Sequence, residues 1–354
     1  MRLKMMTLRT LTAMVLFLFL AQANTWVDTS THLVLAVGYR AFLVASPLFL
    51  IFGLGGGMKL AMGIGVLSTA LCYYFINAWS LGAFALSMAV SGYIAKYVNA
   101  KSSQGAADNK VALNIGSMLS GCFLMVGATK NSLVLISLGA LIVSFYLAAN
   151  ESFEGHGKES GGHSPALPKK IDFRALIGWS LIGIATGIKL TGIFVILPQY
   201  LIYRLGGVPT WFGSLIIINS LGVILFQHRI MKFLESVGDN MVLVFSLTAM
   251  TLLALPGLMQ VHRLALGVTW ILFLTIGECA LSFYDKTARV AGYLLPKEIM
   301  VGVGSFITVY LSRHISGQIY LGGSVGVGCL LLGSLLTRSE MILRNSVWSL
   351  LERP

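Results

Sequence analysis

The chain has 354 residues, of which 56% are hydrophobic and only 11% charged, with a net charge of +12. Soluble domains are about a quarter charged, so this composition, with a mean hydropathy of +0.83 and apolar runs from end to end, reads as an integral membrane protein without a separate soluble domain. The basic residues recur in short loops instead of forming one patch, which sets nucleic-acid binding aside. The four cysteines, Cys72, Cys122, Cys279 and Cys329, lie in apolar runs without CxxC or metal-ligand spacing, so neither a disulfide framework nor a zinc site is expected.

The first apolar segment runs from Met5 to Val27 behind Arg2 and Lys4. It has the form of a signal peptide, with a basic start and Ala21-Gln22-Ala23 at its end, and equally that of a membrane helix. A retained helix completes an even set and is the preferred reading. The second segment, Leu33–Leu54, carries Arg40. A glycine-rich turn, Gly55–Lys59, leads into the third, Leu60–Ile76, and the fourth is Leu81–Val98. The polar run NAKSSQGAADNK reads as a loop before the fifth, Val111–Val126, and the sixth is Leu133–Ala149.

A linker rich in Gly, Ser, Lys and Glu occupies 150–172 and marks a boundary. The seventh and eighth segments lie between Phe173 and Glu235, joined by the turn LGGVPT. Each is long enough for a hydrocarbon layer of about 30 Å. The ninth spans Met241–Leu258, the tenth Leu264 to about Ala291, the eleventh Ile299–His314 and the twelfth Tyr320–Leu336. The closing SEMILRNSVWSLLERP reads as a short amphipathic helix at the membrane surface.

The expected fold is all-α, with twelve transmembrane helices in two six-helix bundles at 1–149 and 173–337. A cytoplasmic linker at 150–172 and a cytoplasmic tail at 338–354 complete the expected organisation. With both termini inside, Lys130, Arg204, Arg263 and Arg313 fall outside, Arg40 and Lys189 fall within the membrane, and about 19 basic residues remain on the cytoplasmic side.

Six helices, a hydrophilic linker and six more resemble the major facilitator superfamily. LPQYLIYRLGGVPTWFGSLIIINSLGVILFQHRIMKFLESVG resembles the seventh-to-eighth helix region of its multidrug-type members. TIGECALSFYDKTARVAGYLLPKEIMVGVGS resembles their tenth-to-eleventh region, and LNIGSMLSG their fifth helix. The chain departs from the pattern in three places. GLGGGMKLAMGIG, between helices two and three, keeps the glycines and Lys59 but lacks the aspartate of the superfamily's charged latch. FALSMAVSGYIAKYV lacks the arginine common in drug antiporters, and the fifth helix lacks their Gly-Pro pair. The resemblance implies that helices seven and ten line a central cavity.

An ionisable group at membrane depth is costly and marks a functional site by default. Lys189 lies roughly 24 Å along its helix, near the midplane. Glu278 lies at similar depth on the tenth helix and is the acid expected deepest in the membrane. The two are read as a pair with Glu278 as the proton-coupling group, against the alternative of a permanent structural pair. Arg40 is read either as a fork for an anionic substrate or as a residue snorkelling or pairing with Asp28. Asn219 and Gln227 are either substrate contacts or hydrogen-bonding glue between helices. Pro198 and Gln199 mark a kink near a gate. Asp285 and Lys286 read as an interfacial pair, and His156 and His163 as solvated linker residues. No Ser-His-Asp or His-Glu set falls at a common depth, so the chain is not expected to be an enzyme.

Together these readings give a monomeric secondary transporter of the cytoplasmic (inner) membrane. It is expected to bind a small-molecule substrate, protons and membrane lipids, and to need no cofactor. The expected activity is proton-coupled efflux of a drug-like compound or secreted metabolite, including carboxylates such as siderophores. The alternatives are proton-coupled uptake of an organic anion, or a non-transporting sensor or assembly factor on the same fold.

Overall fold

The computed structural model describes residues 2–26, 29–99, 103–126, 129–150, 172–191, 211–237, 239–254, 275–281, 283–285, 287–288, 291–314 and 323–337. These residues are helical nearly throughout. In chain order the helices are α1 (Arg2–Trp26), α2 (Thr29–Ala41), α3 (Gly53–Tyr74), α4 (Ala78–Asn99), α5 (Ser103–Met125) and α6 (Lys130–Ala149). They continue with α7 (Phe173–Thr191), α8 (Trp211–Val237) and α9 (Asp239–Ala254). Then come α10, helical at 275–281, 283–285 and 287–288, α11 (Leu294–His314) and α12 (Gly323–Thr337). Most of the 150–172 linker, the 338–354 tail, the LGGVPT turn, Pro198, Gln199, His156, His163, Asp28 and Lys286 lie outside the described residues.

Three boundaries differ from the sequence reading, and two of the differences move charged residues into helices. The glycine-rich stretch Gly55–Lys59 is helical, within α3. The chain turns earlier, through short 3-10 segments at Phe42–Val44 and Ser46–Phe52, and Gly53 takes the break with φ 74°. Gly57 is used for packing: a Cβ there would lie 2.4 Å from the Phe49 carbonyl oxygen, so only glycine lets α3 close on the preceding segment. The polar run before α5 is likewise helical from Ser103 onward, which carries Lys110 inside that helix. In α11 the helix starts at Leu294, ahead of Pro296, and takes Lys297 and Glu298 with it. Proline is tolerated in a first turn, where its missing N–H has no helical partner to lose.

Local caps account for several helix starts. Ser80 N–H donates to Asn77 Oδ1 (2.9 Å), and Asn77 N–H donates back to Ser80 Oγ (3.1 Å) before α4. The Thr129 hydroxyl accepts from Ser132 N–H before α6. Asp172 Oδ1 accepts from Arg174 N–H at the head of α7, a favourable place for a carboxylate.

Two apolar cores result. One gathers Leu8, Leu16, Leu18, Phe19, Leu35, Met58, Phe84, Met88 and Leu141 from α1–α6. The other gathers Trp179, Ile182, Ile188, Phe212, Leu215, Tyr284 and Leu330 from the later helices, with Ala13 and Phe17 of α1 joining it. Within the first group α1 packs on α5; within the second α7 packs on α11, the partners six positions on in helix order. Between the groups, α2 meets α11 and α5 meets α8, again related by the same shift.

The outer surface is apolar. Leu67, Tyr74, Trp79, Leu135, Ile142, Tyr146, Phe173, Leu225 and Leu335 are exposed. Among the described residues six helical stretches are long and apolar enough to cross a membrane: Leu3–Leu20, Ser46–Tyr74, Ala78–Ala95, Lys130–Ala149, Phe173–Thr191 and Trp211–Leu234. The chain is a multi-pass membrane protein, with large apolar side chains on its outer surface and Lys189, Glu278 and Lys297 buried inside.

Candidate functional site

Glu278 is the centre of the buried charge. Its Oε1 lies 2.6 Å from Lys110 Nζ, and its Oε2 lies 3.1 Å from Lys189 Nζ. Asn219 Nδ2 donates to the same Oε2 at 3.4 Å. The Asn219 amide is oriented in turn by the Thr275 hydroxyl, which donates to Asn219 Oδ1 at 2.8 Å. Thr275 and Glu278 are one turn apart on α10, so both face α8. Gly222 allows that approach, since a Cβ there would stand 2.8 Å from Thr275 Cγ2.

Four helices thus converge on one carboxylate: α5 with Lys110, α7 with Lys189, α8 with Asn219 and α10 with Glu278 itself. Lys189 has no solvent exposure and Glu278 is 6% exposed. Removing an ion of this kind from water costs several kcal/mol, which only close, well-bonded partners offset. Two lysines share one carboxylate, so this cluster carries a net positive charge when all three are ionised.

Lys110 also makes the cluster an inter-group contact, because it comes from the first six helices. It lies on the α5 face formed by Lys110, Asn114, Ser117 and Gly121, a polar and small stripe at i, i+4, i+7 and i+11. At the far end of that stripe the backbones nearly touch. A Cβ on Gly121 would sit 2.8 Å from the Gly213 carbonyl oxygen, and one on Gly213 would sit 2.5 Å from that of Gly121.

A second cluster joins the groups where α2 crosses α11. Arg40 Nη1 lies 3.1 Å from Glu298 Oε2. Lys297 Nζ pairs with Asp285 and lies 3.9 Å from Glu298 Oε1. Two bases face two acids here. Gly302 brings α11 against α2, for a Cβ at that position would lie only 3.0 Å from Arg40 Cβ. The Arg40 guanidinium also stands over the Tyr39 ring, 4.9 Å from its centroid.

Of the residues singled out in the sequence, Lys189, Asn219 and Glu278 come together. Arg40 is elsewhere and holds Glu298, so an anionic substrate would have to compete with that carboxylate. Asp285 pairs with Lys297 of α11. Gln227 is buried on α8, two turns beyond Asn219, with an Oε1 that reaches no hydrogen-bond partner. Sequence reasoning misses Lys110 and Glu298. Lys110 sits in a run polar enough to read as a loop, though its spacing to Asn114, Ser117 and Gly121 is an available signal. Glu298 falls one residue ahead of the eleventh segment as read from Ile299.

No protein-family model matches the chain, and no curated protein matches it by sequence. Solved structures do match in shape. A POT family transporter in complex with 5-aminolevulinic acid superposes with a TM-score of 0.69 at 12% identity, covering 96% of each chain. The E.coli fucose:proton symporter FucP gives 0.57 at 14% identity over 95% of this chain and 97% of that one. The human organic anion transporter MFSD10 gives 0.62 at 13% identity over the same shares. At these identities the likeness defines the fold, that of the major facilitator transporters.

Proposed function

We propose that the chain is a proton-coupled secondary transporter of a small organic acid, built as two six-helix bundles of twelve spans about the 150–172 linker. The observation that carries this reading is Glu278 held jointly by Lys110 from the first helix group and Lys189 from the second. Protonating that carboxylate removes the shared charge, leaves two cations facing each other and weakens the contact between the groups. A carboxylate entering between the lysines offsets the same repulsion. Proton binding and anion binding are therefore both linked to the separation of the bundles, which is the requirement for coupled alternating access.

In this reading Glu278 is the proton-coupling residue, Lys110 and Lys189 face the substrate, and Asn219 with Gln227 adds hydrogen bonds. Arg40 acts at the second crossing, where it is released when α2 and α11 part. Export is favoured by the resemblance of the second half to multidrug-type members. Import is the second reading, favoured by likeness to a fucose:proton symporter. A site in the inner membrane with both termini cytoplasmic accords with the loop charges.

The test is transport into proteoliposomes loaded with a pH-sensitive dye, using citrate, benzoate and 5-aminolevulinic acid in turn under imposed pH gradients of each sign. Substrate movement with stoichiometric proton movement is expected for at least one acid, and the effective gradient sign separates export from import. Substrate flux that leaves the internal pH unchanged would refute proton coupling.

A further inference from the structure

Buried polar atoms without a hydrogen-bond partner gather at one crossing. Elsewhere among the described helices they occur at most one to a helix, but α5 and α8 carry two each: Asn109 Oδ1 and Ser117 Oγ on one, Ser220 Oγ and Gln227 Oε1 on the other. Ser117, Ser220 and Gln227 are 2%, 0% and 1% exposed. Other buried serines donate back to their own helix, Ser144 to the Ala140 carbonyl at 2.8 Å and Ser305 to that of Val301 at 3.0 Å. The Ser117 and Ser220 hydroxyls do not. Leaving such groups buried and unpaired is unfavourable, so they call for a partner that the described helices do not supply.

Helix register sets three of these atoms along one interface. α5 and α8 run antiparallel: Ser214 Oγ donates to Met125 Sδ at 3.4 Å, and a Cβ on Gly121 would lie 3.0 Å from Ile217 Cγ1. Stepping turn by turn down α5 and along α8 continues that match. Ser117 then stands opposite Ser220 and, two turns further, Lys110 opposite Gln227. Helical phase agrees. Seven residues fall about 20° short of two full turns, so Ser220 and Gln227 lie on the side of α8 that carries Gly213, whose backbone meets Gly121. Lys110 and Ser117 lie on the matching side of α5, and Asn109 lies off it. Asn114, between them, turns its Nδ2 back to the Lys110 carbonyl at 3.0 Å.

We propose that Gln227, Ser117 and Ser220 form a subsite for the hydroxyl groups of a polyhydroxylated carboxylic acid whose carboxylate lies between Lys110 and Lys189. Gln227 Oε1 only accepts hydrogen bonds, so the substrate presents a donor to it at the level of Lys110. In an organic acid that donor is an O–H or an N–H. An ammonium would add a cation where two lysines already share one acid, which selects the hydroxyl. The serine pair lies about 10 Å further along the helices, so the substrate is an extended chain with hydroxyls toward both levels, the size of a hexonate. Serine hydroxyls both donate and accept, as a polyol requires. α5 and α8 belong to the groups that part in the proposed cycle, so the subsite opens to substrate as they do. The inference deepens the transport reading and rests on it for the lysines as carboxylate partners.

The experiment is isothermal titration of the purified full chain in detergent with sodium gluconate, sodium hexanoate and glucose at constant ionic strength. Gluconate and hexanoate share chain length and carboxylate and differ in hydroxyls, whereas glucose has hydroxyls without the carboxylate. Gluconate should bind saturably and about tenfold tighter than either. Gln227→Leu should remove most of that preference and leave hexanoate affinity unchanged, and Ser117→Ala combined with Ser220→Ala should do the same. Neither variant removes a side-chain hydrogen bond among the described residues, so melting without ligand should not fall. Equal affinities for gluconate and hexanoate, a preference kept in both variants, or no gluconate binding would overturn the proposal. A fall in melting with equal losses for both acids would overturn it too, marking a packing role. Equal affinities with both acids lost in Lys110→Gln would remove the subsite and leave the transport reading standing. Unchanged gluconate affinity in Lys110→Gln would overturn the lysine arrangement on which the proposal rests, and that part of the transport reading with it.

Discussion

At the α2–α11 crossing, Arg40 of the first helix group faces Glu298 of the second across 3.1 Å. At the α5–α8 crossing, Lys110 of the first group faces Glu278 of the second across 2.6 Å. The sign pattern is the same, with base from the first group and acid from the second. The balance is different. Arg40 and Lys297 are matched by Glu298 and Asp285, whereas Lys110 and Lys189 share one carboxylate. The Arg40 side chain is 17% exposed and that of Lys189 is fully buried. Lys110 at 20% exposed and the fully buried Lys297 show that both clusters have one partly wet and one buried base, so the difference is the charge balance. A matched cluster holds two surfaces together, whereas an unmatched one is sensitive to a single proton or a single anion, and that sensitivity is what coupling requires.

The largest expected effect follows from this difference. Glu278→Gln leaves the buried Lys189 and the partly exposed Lys110 without this counter-charge and should lower stability by about 3–5 kcal/mol. Glu298→Gln leaves Arg40 and Lys297 with Asp285 and some water, and should cost about 1 kcal/mol. Thermal unfolding of both variants in one detergent, without substrate, checks the order. Equal losses would erase the distinction between the crossings.

Double-mutant cycles sharpen it. Lys189→Met with Glu278→Gln should be milder than the sum of the single changes by about 1–3 kcal/mol. The same cycle on Arg40→Met with Glu298→Gln should give a coupling of about 0.5–1 kcal/mol, the range of pairs reached by water. Additive effects at Lys189 and Glu278 would dissolve the central pair.

Packing offers a smaller contrast. A Cβ on Gly304 would lie 2.1 Å from the Ile184 carbonyl oxygen, inside the second group, so Gly304→Ala should cost about 1–3 kcal/mol in melting measurements. Gly213→Ala presses on the Gly121 carbonyl between groups that part in the proposed transport cycle. It should lower melting less and show instead as easier cysteine labelling at that end of the bundle. If both variants lose the same stability and neither gains labelling, the α5–α8 contact is as permanent as a core contact.

Much of this organisation is readable from the chain. Apolar runs of membrane length locate the described helices, because the lipid face demands it of the sequence, but α3, α5 and α11 begin at Gly53, Ser103 and Leu294, ahead of the apolar runs. Lys189, Asn219 and Glu278 stand out because charges and amides are rare in such runs. The failures lie at helix ends, where hydropathy carries no signal. Lys110 is lost because a helix that leaves the hydrocarbon region turns polar without ceasing to be a helix. Glu298 is lost because Pro296 breaks a helix interior but fits a first turn. Both omissions concern which groups meet across the bundle, and this is fixed by packing between distant segments.

Coupling of proton movement to transport by the carboxylate that Lys110 and Lys189 share is tested most directly by comparing wild type and Glu278→Gln in proteoliposomes, using an acid that the wild type carries. Counterflow exchange at zero pH gradient is read beside accumulation driven by an imposed gradient. Glu278→Gln should still exchange substrate, yet lose gradient-driven accumulation and leave the internal substrate concentration at the external level. Accumulation by Glu278→Gln at the wild-type level would contradict the coupling role of Glu278.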